Sequence, residues 1–155
     1  MEITLICVGK VRERLIGALC EDYAGRIERY GHKVRVVEVK DEPGGRPDKL
    51  VVERESERLA EKIPAGAWTV ALDLRGEMLS SGKFASRMDK WAGEGVRAVC
   101  FIVGGHLGLS STLLGSCRQR LSLSRMTMTH EMARMVLLEQ LYRANTIIRG
   151  EPYHK

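Results

Sequence analysis

No run of about 18 apolar residues interrupts this 155-residue sequence, which excludes a hydrophobic membrane-spanning helix. The opening segment MEITLICVGKVRERL lacks the basic start, apolar stretch and small-residue cleavage site of a secretory signal. The expected location is therefore the cytoplasm. Four cysteines, Cys7, Cys20, Cys100 and Cys117, form no CxxC pair, and two of them lie in strand-like apolar runs where a thiol packs as a small hydrophobe. Reduced, structural thiols are favoured over a redox or metal role. His32 is expected at the surface, and His32, His106, His130 and His154 show no metal-ligand spacing, so no metal is expected. Neither GxGxxG nor GxxxxGK[ST] is present, which disfavours a pyrophosphate cradle and with it a dinucleotide-dependent oxidoreductase. Without internal repeats, low-complexity segments or a composition break, residues 1–155 read as one domain.

What is present begins with charge. The formal net charge is +5, and residues 118–155 hold seven basic and three acidic residues, so most of the excess lies in the last quarter. Arg118, Arg120, Arg125, Arg134, Arg143, Arg149 and Lys155 either face phosphates together or form an ordinary solvated surface.

Apolar runs alternate with helical patterns. Ile3–Val8 predicts a first strand, and Leu15, Leu19, Tyr23, Ile27 and Tyr30 recur at helical spacing before Gly31. Val34–Val39 predicts a second strand. Asp41–Asp48, with two prolines and two glycines, is a loop, and a charged helix follows to about residue 63. A third strand covers Trp68–Leu74, and a helix capped at Ser80 or Ser81 buries Phe84, Met88 and Trp91. Ala98–Val103 has no polar position and belongs in the middle of a sheet covered on both faces. A short helix near Leu113–Cys117, a short strand at Gln119–Leu123 and a long helix from about Glu131 to Ile148 complete the chain. The order predicts an α/β fold with a mostly parallel sheet and helices on both faces.

Ligands of open α/β sheets bind beyond the carboxyl ends of the strands. Three loops qualify here: Leu72–Gly76, the glycine loop Gly104-Gly105-His106-Leu107-Gly108, and Leu123–Met128. Asp73 is either an acid facing a ligand or a group capped by nearby amides. Met126 and Met128 read as core or pocket lining. On the long helix, Met132, Met135, Val136, Leu138, Glu139, Leu141, Tyr142 and Ile147 form a stripe too broad for one packing face, which its own domain or a second copy would cover. Glu139 and Arg143 stand at i,i+4 and read first as a salt bridge. The chain closes on Pro152-Tyr153-His154-Lys155, a stiff turn followed by a phenol, an imidazole and an ammonium.

Four segments together carry a resemblance over the whole length: ITLICVGK at 3–10, LDLRGEMLSS at 72–81, FIVGGHLGLS at 101–110 and all of 122–155. The chain resembles the small bacterial 23S rRNA pseudouridine N3-methyltransferases of the SPOUT superfamily, the RlmH or YbeA family. The resemblance implies a C-terminal trefoil knot, a homodimer, and S-adenosyl-L-methionine held by Leu72, Gly104, Leu123, Ser124, Arg125, Met126, Thr127 and Met128; Gly105 joins them as the loop glycine expected to let the backbone approach adenosine closely. It implies methylation of 23S rRNA within the 70S ribosome, by direct displacement. On that basis His154, Tyr153 and Arg143 are the catalytic candidates: His154 takes the N3 proton, Tyr153 orients it, and Glu139 holds Arg143. Arg125, His130, Arg143 and Lys155 are the RNA-binding candidates, and each tail crosses to the partner's pocket. His106 and Leu107 depart from the smaller or more polar residues usual in that glycine loop. The alternative from another class is a non-catalytic ribosome-binding factor with the same fold.

Overall fold

The computed structural model describes residues 1–154. In chain order the elements are β1 (Glu2–Val8), α1 (Arg14–Glu28), β2 (Lys33–Val39), α2 (Asp48–Ala60), β3 (Trp68–Met78), α3 (Ser81–Gly93), β4 (Ala98–Val103), α4 (Ser111–Ser116), β5 (Gln119–Ser122) and α5 (His130–Ile148). The strands form one sheet in the order β2-β1-β4-β3-β5, and every pairing is parallel. β4, the strand with no polar residue, occupies the centre, as its sequence predicts.

Alternation along β1 and β4 divides the core in two. Ile3, Leu5 and Cys7 with Val99, Phe101 and Val103 face α1, α3 and α5, where they meet Ile27, Phe84, Trp91, Leu137 and Leu141. Ile6, Val8, Cys100 and Ile102 point the other way, toward Leu59 of α2 and Leu113 of α4. At about 25 cal/mol per Å² of apolar surface, burial on both faces is the main stabilising term. Side-chain oxygens of Ser80, Ser110 and Thr129 accept from Lys83, Leu113 and Met132 amides and fix the starts of α3, α4 and α5.

Three expectations change. The α1 stripe is buried only in its second half: Ile27 is inaccessible and Tyr23 and Tyr30 are half-buried, whereas Leu15 and Leu19 remain 65% and 45% exposed. The breadth of apolar α5 arises within this chain, because α5 lies on the sheet between α1 and α3 and buries Leu137, Leu138, Leu141 and Ala144 on several sides. His32 is not a plain surface residue. It is half-buried, 2.8 Å from Asn145 Oδ1, and burial lowers its pKa below the ordinary 6.5.

β3 runs past its predicted end by leaving the sheet and returning. Leu121 of β5 pairs first with Leu72 and again with Glu77, so residues 73–76 bulge outward. Gly76 is the point of return: a Cβ there would lie 2.6 Å from the Leu121 carbonyl carbon, closer than any side chain tolerates.

Candidate functional site

The carboxyl ends of β4, β3 and β5 are adjacent, and their register gathers the three predicted loops. Ala71 pairs with Ile102 and Leu72 with Leu121, so the segments beginning at Asp73, Gly104 and Leu123 emerge side by side. Each loop has a local cause. A Cβ on Gly104 would meet the Gly108 carbonyl oxygen at 2.7 Å, so only glycine allows the loop to fold back on itself. The Ser122 hydroxyl donates to the Ser124 carbonyl at 3.0 Å, and Ser124 Oγ accepts the Met126 amide at 2.9 Å, a pair of turns that shapes residues 122–126.

Asp73 Oδ2 is buried and has no hydrogen-bond partner among the described residues, so no amide caps that oxygen. An acceptor left open at the strand end is a place for a donor brought by a ligand. Met126 is not core: it is 79% exposed, and Arg125 and Thr127 are exposed beside it. A cavity of about 270 Å³ opens between Leu121–Leu123, Ser81 and Gln140.

The tail folds back along α5. Arg143 Nε and Nη2 both donate to Glu139 Oε1, at 2.9 and 2.6 Å, and Tyr153 Oη donates to the same oxygen at 3.1 Å. The Tyr153 ring stands edge-on to Tyr142 with centroids 4.8 Å apart, and the Arg143 guanidinium lies 4.7 Å from its centroid. Tyr23 Oη is 3.5 Å from Tyr153 Oη, and Tyr30 donates a short hydrogen bond to Glu151. Burial, then the contacts with Tyr23 and Glu139, raise the Tyr153 phenol well above its ordinary pKa, so it is a donor at neutral pH. The hydrogen bond to Glu139 raises the Arg143 pKa.

His154 Nδ1 lies 3.4 Å from Arg143 Nη1. Arginine only donates, so Nδ1 is the unprotonated nitrogen and a neutral ring carries its proton on Nε2. In this pose the imidazole turns its acceptor to Arg143.

The structure therefore joins His154, Arg143, Glu139 and Tyr153 in one network, and extends it: Gln140 Nε2 donates to Glu139 Oε2 at 2.6 Å while Ser81 Oγ donates to Gln140 Oε1 at 2.7 Å. Ser81 and Gln140 both line the cavity beside Leu123. It does not gather the basic residues. Arg134 is buried, donating to Glu38 Oε1 at 2.6 Å and to the Gly9 carbonyl at 2.9 Å, so it is unavailable to phosphate. Arg118, 4.8 Å over the Trp68 ring, lies toward the start of β3, away from the loops, and Arg120, opposite Ala71, is bonded to the Leu114 carbonyl. His130 begins α5 beside Gly9, away from the tail. Lys155 lies outside the described residues.

Gly105 faces an unforeseen neighbour. A Cβ at this position would sit 2.5 Å from Glu55 Oε2 and 3.3 Å from Val8 Cγ1, so its bare side is turned toward α2. Sequence reasoning missed Glu55, which lies within a charged helix with nothing to mark it as buried. Burial raises the thiol pKa of Cys7 to about 11 and of Cys100 to about 12, which agrees with structural cysteines. Among the described residues no cluster of metal-ligating side chains is found, and no helix is long and apolar enough to cross a membrane.

Comparison with known proteins bears on this arrangement. The family model described as "Predicted SPOUT methyltransferase" matches residues 1–154. A protein of Syntrophotalea carbinolica named ribosomal RNA large subunit methyltransferase H is 43% identical, with 99% of each chain covered. Its namesake from Bacillus pumilus is 40% identical over 100% of both. Among solved structures, a "Probable Methyltransferase" from Bordetella pertussis superposes with a TM-score of 0.55 at 14% identity, covering 92% of this chain and 93% of that one. A "probable methylase family protein" from Haemophilus influenzae gives 0.54 at 11% identity, covering 99% and 70%. These distant structures share the fold.

Proposed function

This chain belongs to the SPOUT methyltransferase family, and from that premise we propose that it methylates N3 of a pseudouridine in large-subunit ribosomal RNA, using S-adenosylmethionine. The observation that supports this most is the adjacency of the three loops at the carboxyl ends of β4, β3 and β5, with the open Asp73 oxygen on one of them. Relatives of 40% identity and more, matched end to end, bear the name of an rRNA methyltransferase.

The residues present fit the cofactor. Leu72, Gly104 and Leu123–Met128 offer apolar surface and strand-end backbone, the requirements of a purine slot, and Gly105 continues that loop. Asp73 offers an acceptor to a hydroxyl or ammonium group. When bound, S-adenosylmethionine supplies an electrophilic methyl group on a sulfonium.

The remaining tasks belong to the protein: to align the nucleophilic nitrogen, exclude water and remove the N3 proton. In this reading His154 would take the N3 proton. That role requires Nδ1 to leave Arg143, and in our reading it does so when the tail crosses to the cofactor pocket of a second copy. Arg143, so released, pairs with RNA phosphate, as do Arg125, His130 and Lys155. Tyr153 travels with the tail and orients the imidazole there, its hydroxyl having left Glu139 Oε1. The homodimer would cover Leu15, Leu19 and Met132, exposed apolar residues on α1 and α5, whose adjoining starts are tied by the Glu13 amide to Glu131 Oε2 at 3.2 Å. In the same reading the segment from β5 through α5 is threaded as a trefoil knot, and the enzyme works in the cytoplasm on the assembled ribosome.

The test is methyl incorporation from labelled cofactor into ribosomes that lack the modification, with the modified nucleotide mapped by mass spectrometry. Label at N3 of one large-subunit pseudouridine is expected. No incorporation would leave a ribosome-binding factor, and label on a ribose or a carbon would refute the displacement at N3.

A further inference from the structure

On the other side of the glycine loop lies a second cavity, of about 210 Å³. It opens beyond the carboxyl ends of β1 and β4, the two strands from which the connections run in opposite directions across the sheet. That is the topological switch point at which open α/β sheets take ligands. Of the residues assigned above to the cofactor, Gly105 alone lines it.

The floor is an unpaired carboxylate. Glu55 is 2% exposed; its Oε1 accepts the Glu42 amide at 3.0 Å, and its Oε2 has no partner among the described residues. The oxygen lies directly under Gly105, with only the missing side chain between them. A second glycine, Gly9, forms the wall beneath the His130 ring, whose Nε2 is 3.3 Å from where a Cβ would stand. The rim carries both signs, Lys10 and Arg12 with Asp41 and Glu131, and two imidazoles, His106 and His130. Lys10 makes no ion pair among the described residues, and His106 is exposed beside it. The acids at the rim are engaged: Asp41 with Arg12 at 3.8 Å, and Glu131 Oε2 with the Glu13 amide.

We propose that this cavity holds one unstacked nucleotide of the RNA substrate, with the pairing edge of a guanine over Glu55 and its phosphate at Lys10 and His106. This rests on the RNA-methyltransferase reading. The open Oε2 is an acceptor, so it selects a base edge rich in N–H donors, and guanine presents two side by side, N1–H and N2–H. The volume is below the roughly 300–1,000 Å³ of drug-sized ligand pockets, which suits a single base and excludes a second cofactor. An imidazole beside the cavity offers a flat face for stacking, the usual way in which splayed RNA bases are held. A domain with no separate RNA-binding module thereby gains a contact that reads sequence.

Amide chemical shifts of the intact protein, titrated with guanosine 5′-monophosphate, test this. Saturable shifts at Gly105, His106 and His130 are expected, and N1-methylguanosine 5′-monophosphate should bind about tenfold more weakly, the loss of one hydrogen bond to a charged group. Glu55→Gln turns the open acceptor into a donor and should abolish that preference. Equal affinity for the two nucleotides, the same shifts with ribose 5-phosphate, or the same shifts with S-adenosylmethionine would each overturn the proposal, as would no saturable shift. The wild-type titration stands even where Glu55→Gln fails to fold. Ribosome methylation by the wild type is read separately: if it is absent while the guanine preference holds, the enzymatic reading fails and the base site survives.

Discussion

Oε1 of Glu139 receives the Tyr153 hydroxyl at 3.1 Å while holding both Nε and Nη2 of Arg143. One oxygen thus ties the tail to the helix. Glu139→Gln removes the charge that organises three donors, so methyl transfer should fall by about one to two orders of magnitude, with the ribosome KM rising as Arg143 loses its alignment. Steady-state kinetics on ribosomes check this; unchanged constants would make the cluster a helix-surface ion pair and nothing more.

Removing residues 153–155 should cost about 1 kcal/mol or less in folding stability, since the contacts made by Tyr153 and His154 lie at the surface. Activity should drop by about two orders of magnitude or more, the scale of a lost acid-base group. His154→Ala alone should reproduce most of the loss. Denaturant melts and single-turnover methylation separate the two effects, and a truncated protein with parental turnover would end the assignment of His154.

Gly105→Val tests the loop's support. Because the new side chain runs into Glu55 and Val8, the expected result is overpacking, with a loss of about 1–3 kcal/mol in chemical unfolding. Weaker cofactor binding should accompany that loss, since the displaced loop also carries Gly104. Parental stability together with abolished binding would instead mean that Gly105 faces the cofactor directly.

His32 gives the fold a pH dependence of known sign. Its pKa in the folded state is lowered, chiefly by burial, so the unfolded chain takes up the proton more readily. The contribution is present above the unfolded pKa of about 6.5 and is lost as pH falls through the lower folded value. Guanidinium melts at about pH 7 and pH 5 should show the decline, and His32→Gln should flatten it. A slope identical in the variant assigns the pH dependence to other groups.

Leu15→Glu with Leu19→Glu places two charges on the exposed start of α1. Sedimentation should show the parent as a dimer at micromolar concentration and the double variant as a monomer of unchanged helix content. A monomeric parent removes the shared-site arrangement.

Much of this was legible in residue pattern. Ala98–Val103 predicted its own central place because six apolar residues in a row suit a strand covered on both faces. The loops were legible because glycines and strand ends mark them. What escaped depends on the third dimension. Arg134 looks like any helix arginine until β1 brings the Gly9 carbonyl and β2 brings Glu38 to it. The same is true of Glu55, whose burial comes from the glycine loop lying over it some 50 residues later in the chain. Leu15 and Leu19 failed for the opposite reason: periodicity reports an apolar face without saying what covers it.

The place of α5 has a consequence for how the molecule is made. It is the last of the ten elements to be synthesised, yet it fills the groove between α1 and α3, and its Arg134 reaches across to the first two strands. While the earlier elements emerge, Phe84, Trp91 and Ile27 face an open trough that no nascent segment can close. Folding is therefore bound to wait on long-range contacts, a slow and aggregation-exposed route. During that interval the newborn chain is a natural client for a chaperone, whose hydrophobic grip would stand in for Leu137, Leu138 and Leu141 until they arrive.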